Sequence, residues 1–159
     1  MPGLFDLETP KDLLAKLERE LIKLRDEPEN VDHAFNFFTT AEHILDWLYP
    51  GQGGQAPKQR EALKDNEVLL ATVSHIANGA KHFDKLNKKH TSVSNTEHKK
   101  GLWAKQFWAK NAFAKGVWAE PALLITLSGE AASQFGNNIT ALVLAEKVYM
   151  YWSSPGRIA

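Results

Sequence analysis

Leucines set the first rhythm of the chain. Leu13, Leu14, Leu17, Leu21 and Leu24 recur at three- and four-residue steps, the period of one face of an α-helix. Just before them, Thr9 is placed to cap the helix and Pro10 suits a first turn, where its missing N–H costs nothing. Asp12 sits near the positive end of the helix dipole. Pro28 closes this element. Asp32 is the expected cap of a second helix over residues 33–48, crowded with Phe35, Phe37, Phe38 and Trp47 and therefore expected to be buried on most sides. The run Pro50-Gly51-Gln52-Gly53-Gly54 breaks it.

The pattern predicts a third helix over residues 66–86, with a helical lead-in from Pro57; Val68, Leu69, Val73, Ile76, Ala80 and Phe83 supply its apolar side. Residues 87–100 are polar and rich in turn formers, which reads as a loop. Beyond them the period shortens. Residues 113–118 and 122–128 read as two strands separated by Glu120-Pro121. Asn137-Asn138 then opens a last helix carrying Ile139, Leu142, Val143, Val148, Tyr149 and Trp152. The expected fold is mainly α: a four-helix bundle with a short antiparallel β-hairpin inserted before the last helix, as a single domain over residues 1–159. Phe38, Leu45, Trp47, Val73, Ile76 and Phe83 are its expected core.

Composition narrows the chemistry. With 159 residues and 43% hydrophobic content, one core is sustainable without covalent staples. There is no cysteine, which excludes disulfides, thiolate nucleophiles and thiolate-held metals in this sequence. No basic, apolar leader stands at the N-terminus and no window approaches the ~20 apolar residues of a membrane span, so a soluble, cytoplasmic protein is expected.

The net charge of zero hides an asymmetry. Residues 1–80 hold 8 Lys and Arg against 14 Asp and Glu, whereas residues 81–115 hold 9 Lys against Asp84 and Glu97. Such a basic stretch either pairs with the acidic half or makes a local field for a polyanion.

Polar residues at core spacing are the candidate chemistry. Asn36, Thr40 and His43 fall on one stripe of the second helix, extended by Asp46; His75, Asn78 and His82 fall on one stripe of the third. If these helices are antiparallel neighbours, a polar seam runs between them. It is either a hydrogen-bonded network that sets register or a functional site. No metal or cofactor is expected there. The motif HExxH is absent, Glu42 and His43 point to different helix faces, and His75 and His82 stand about 10 Å apart along the axis. Ser74 and His75 likewise face apart, and no serine sits in a strand–turn–helix elbow.

The stretch Ala77-Asn78-Gly79-Ala80-Lys81-His82-Phe83 resembles a degenerate form of the HEPN ribonuclease motif, in which an arginine and a polar residue precede a histidine by four to six positions. Asn78 stands at the polar position and His82 at the histidine, while the arginine position is Ala77. The wider pattern, from AFNFFTTAEHILDW through HIANGAKHF to a hairpin and a helix, is similar to small bacterial proteins of unassigned activity. The resemblance implies a HEPN-like, RNA-associated bundle without catalytic activity, and a homodimer, since such sites are completed by a second copy. In an active form, His82 would serve as acid or base, Asn78 would support it, and Lys81 would be the nearest cation for the phosphorane.

A second segment, from Lys99 and Lys100 through Trp103 to Lys110, alternates ammonium groups with large rings. That composition suits single-stranded nucleic acid, and equally suits rings anchored in a core with lysines in water. Two functions therefore stand open. One is a HEPN-like, RNA-associated protein using Asn78, Lys81 and His82. The other is a non-enzymatic interaction or small-ligand-binding module whose polar seam, with His43, Asp46 and His75, is structural.

Overall fold

A computed structural model of the chain describes residues 5–81, 92–99 and 121–158, with side chains of the first stretch through residue 79. The chain is mainly helical. Six helices are present among the described residues: α1 (Pro10–Asp26), α2 (Val31–Leu48), α3 (Ala56–Asn66), α4 (Val68–Lys81), α5 (Gly129–Phe135) and α6 (Ala141–Ser153). Three strands, β1 (Val93–Lys99), β2 (Ala122–Leu127) and β3 (Asn138–Thr140), form one antiparallel sheet in the order β1-β2-β3.

α1 begins as its sequence predicts. The Asp12 backbone N–H donates to Thr9 Oγ1 at 3.3 Å and the Thr9 N–H donates to Asp12 Oδ2 at 2.8 Å, a reciprocal capping box. Hydrogen bonding, first from the Thr9 hydroxyl, holds the Asp12 carboxyl below its usual range. Leu13, Leu17, Leu21 and Leu24 are all buried.

α2 occupies the centre and packs on α1, α4 and α6. Its cap is Asn30 rather than Asp32, because the Asn30 side-chain oxygen accepts from the N–H groups of both Asp32 and His33. Ala34, Phe37, Phe38, Ala41, Ile44 and Leu45 are buried, whereas Phe35 is half exposed, so the helix is not buried on every side. After Gly51, whose φ of +99° suits glycine, the chain turns into α3. Arg60 of α3 then clamps the end of α2: its guanidinium donates to the carbonyls of Tyr49 and Gly51 and lies 3.3 Å from Asp46 Oδ1.

The third helix read from sequence is α4, and the helical lead-in expected from Pro57 is a full helix of its own, α3, divided from α4 at Glu67. Leu70 and Ala77 join Leu69 and Val73 in the core, Trp47 and Ile76 pack partly buried against it, and Phe83 lies outside the described residues.

The sheet departs most from expectation. The strand at 122–128 is present as β2, and the strand expected at 113–118 falls outside the described residues. The partner of β2 is instead β1, inside the stretch that reads as a loop. Val93 alone of its residues is buried, so β1 carries no hydrophobic alternation to betray it. It is held by backbone pairing, from Val93↔Leu127 to Lys99↔Ala122, with a bulge between Val93 and Asn95. Asn138 opens β3 rather than a helix; Thr140 caps α6, its hydroxyl accepting from the Val143 N–H at 3.2 Å. Ile125, Leu127 and Ile139 turn toward Leu144, Ala145 and Val148 and close the core.

Candidate functional site

α2 and α4 run antiparallel, for Ser74 meets Glu42 while Gly79, farther along α4, shares a pocket with Val31 at the start of α2. The polar residues between them are not the expected stripe. Around α2 at 100° per residue, Asn36 and His43 lie half a turn from Ala34 and Ala41, and both are exposed. Asp46 is exposed and pairs with Arg60. Thr40 is buried but faces α1, where its hydroxyl accepts from Lys16 Nζ at 2.6 Å. The apolar arc of α2 has turned the stripe away from α4.

What α2 presents to α4 is Glu42. The Ser74 hydroxyl donates to Glu42 Oε1 at 3.0 Å, and the Asn78 amide donates to Ser74 O at 2.8 Å and to its Oγ at 3.3 Å. Glu42 Oε2 is buried with no hydrogen-bond partner among the described residues, as is Thr39 Oγ1. Burial pushes the Glu42 carboxyl above its usual range, against the opposing pull of Lys64 and the Ser74 hydrogen bond. Asn78 is thus committed to its own helix. In sequence, Glu42 and Ser74 count only as neighbours of His43 and His75; the signal that brings them together is their position on the Phe38 side of α2 and the Leu70 side of α4.

His75 is buried, and its Nδ1 accepts the Val93 backbone N–H at 3.0 Å. That nitrogen therefore carries no proton, and the ring proton is on Nε2. The bond joins α4 to the first residue of β1 and positions the strand. Lys99 at the other end of β1 pairs with Glu97 at 2.9 Å, both half exposed. The Lys81 side chain, His82, Lys100 and Trp103 lie outside the described residues. Among the described residues no cluster of three or more His, Cys, Asp or Glu could hold a metal, and no helix is long and apolar enough to cross a membrane.

Beside His75 the helices and the sheet leave an open pocket of about 330 Å³. Val31, Ala34, Phe35 and Phe38 form its α2 wall at i, i+3, i+4 and i+7; His75, Ile76 and Gly79 form the α4 wall. Leu123, Leu124 and Ile125 of β2 contribute the sheet side, and Thr96, Glu97 and His98 of β1 bring polar groups. A mostly apolar hollow with a few polar groups is the usual form of a small-molecule site. Of the candidate site residues whose side chains are described, the pocket gathers His75 alone.

No protein-family model, curated protein or solved structure matches the chain.

Proposed function

We propose that the protein is a non-enzymatic binding module that takes a small, mainly apolar ligand in the pocket between α2, α4 and the sheet. The pocket itself carries the reading. Its volume of about 330 Å³ is roughly twice that of an engineered apolar cavity that stays dry and takes up benzene, which corresponds to a two-ring or short acyl ligand. Its chemistry is that of binding rather than turnover, since His75 spends its basic nitrogen on a backbone N–H. The Glu42–Ser74–Asn78 hydrogen bonds tie α2 to α4, which is a structural role.

Titration with the neutral two-ring fluorophore N-phenyl-1-naphthylamine tests this. The expected result is saturable binding with a blue-shifted emission. Phe35→Asp places a carboxylate at a half-exposed rim position and should weaken binding about tenfold or more while leaving the melting temperature within about 2 °C. Absence of saturable binding, together with RNA binding that falls steeply with salt, would overturn this reading in favour of the RNA-associated one.

A further inference from the structure

We propose that His75 is a proton-operated latch on the ligand pocket: protonation of its Nδ1 releases the Val93 end of β1 from α4 and so loosens the wall that β1 supplies. The inference rests on the pocket being a ligand site and names how that site is regulated.

Three observations meet at this residue. First, His75 is 4% exposed and lines the pocket, so its state is felt by whatever occupies it. Second, the Val93 N–H bond to Nδ1 requires that nitrogen to be unprotonated. An imidazolium turns the acceptor into a donor facing another donor, and the bond is lost rather than weakened. Third, Val93 is the only buried residue of β1, and the residues after it are exposed. The ladder to β2 holds the strand in the sheet, while the Val93 bond ties its buried end to α4; Thr96, Glu97 and His98 complete the pocket wall from that position.

β1 brings Glu97 and His98 into the same pocket. α2 brings Glu42, bonded to the adjacent Ser74, and α3 brings Lys64 and Glu61, whose charges act on Glu42. α5 carries the exposed Glu130, and β2 contributes only Leu123, Leu124 and Ile125 to the pocket. Of these, His98 is the other imidazole in the pocket, so it is the control. A free imidazole titrates at about 6.5, and a ligand that binds only the latched state must lose apparent affinity in proportion as the unlatched state fills.

The test measures N-phenyl-1-naphthylamine affinity from about pH 7.5 to about pH 5, a span that brackets the usual imidazole titration. In parallel, NMR follows the protection of the Val93 amide against solvent exchange and the tautomer of the His75 ring. Wild type should lose about tenfold or more in probe affinity, with Val93 protection and the His75 ring signal changing at one common midpoint. His75→Asn, whose side-chain oxygen lies where Nδ1 does and accepts the same N–H without titrating, should make probe affinity and Val93 protection independent of pH; His98→Gln should keep the pH response of the wild type. A flat wild-type profile, Val93 protection that survives His75 protonation, or a response that moves with His98→Gln overturns the latch. If His75→Asn does not fold, the common midpoint in the wild-type spectra still decides. Should the probe bind at no pH while Val93 protection still follows His75, the latch stands and the ligand reading falls.

Discussion

Arg25 of α1 and Glu146 of α6 meet in a two-pronged pair: Nε donates to Oε1 and Nη2 to Oε2, each at 2.7 Å, across 121 residues of sequence. Both side chains are partly exposed, so water and salt screen the pair. A double-mutant cycle with Arg25→Ala and Glu146→Ala should give a coupling of about 0.5–1 kcal/mol, reduced by added salt. The hydrogen bond from Arg25 holds the Glu146 carboxyl below its usual range. Its contribution is therefore present above the ordinary carboxylate pKa and lost as pH falls through the lowered one, and the coupling should vanish in acid.

Glu42 has the opposite sign. Its carboxyl is raised by burial, so the protonated form is favoured in the folded state. The group's contribution is fully present below the unfolded value of 4.5 and is lost as pH rises through the raised folded value. Glu42→Gln keeps an acceptor for the Ser74 hydroxyl and removes the buried charge. It should stabilise the protein at neutral pH by about 0.5–1.5 kcal/mol, and the gain should shrink toward acid, as followed by thermal melts against pH.

Ala77 decides whether the HEPN resemblance can be completed by substitution. Its side chain is 8% exposed, on the core side of α4. Ala77→Arg should bury an unpaired guanidinium and cost about 3 kcal/mol or more, seen as a lowered or absent melting transition. A variant that keeps its melting temperature and cleaves RNA would instead place position 77 at a working site and revive a nuclease role for Asn78 and His82.

Phe37 and Phe35, two positions apart on α2, should respond very differently to truncation. Phe37 is fully buried, its ring edge-on to Phe38 at 5.4 Å, whereas Phe35 is 47% exposed at the pocket rim. Phe37→Ala should cost about 3–5 kcal/mol in chemical denaturation, and Phe35→Ala under about 1 kcal/mol. Equal costs would mean that α2 presents another face to the core.

Local code was legible in the chain. The Thr9–Asp12 capping box, the leucine stripe of α1, the end of α2 at Pro50 and the apolar strand β2 each follow from residues within a few positions of one another. Their energetics are settled by neighbours in sequence: a cap needs its third residue, and a helix face needs a period. Tertiary structure decided the rest. The polar run at β1 is a strand only because β2, more than twenty residues later, offers it a hydrogen-bonding edge. Asn36 and His43 point to solvent because the arc from Ala34 to Leu45 fixes how α2 is turned, and that rotation hands the contact with α4 to Glu42 and Ser74. His75 was visible as a histidine at core spacing, but its role depends on which N–H it meets, and the Val93 N–H arrives from another element. Spacing along a helix states which residues share a face; only packing of that face against the others states what the face touches.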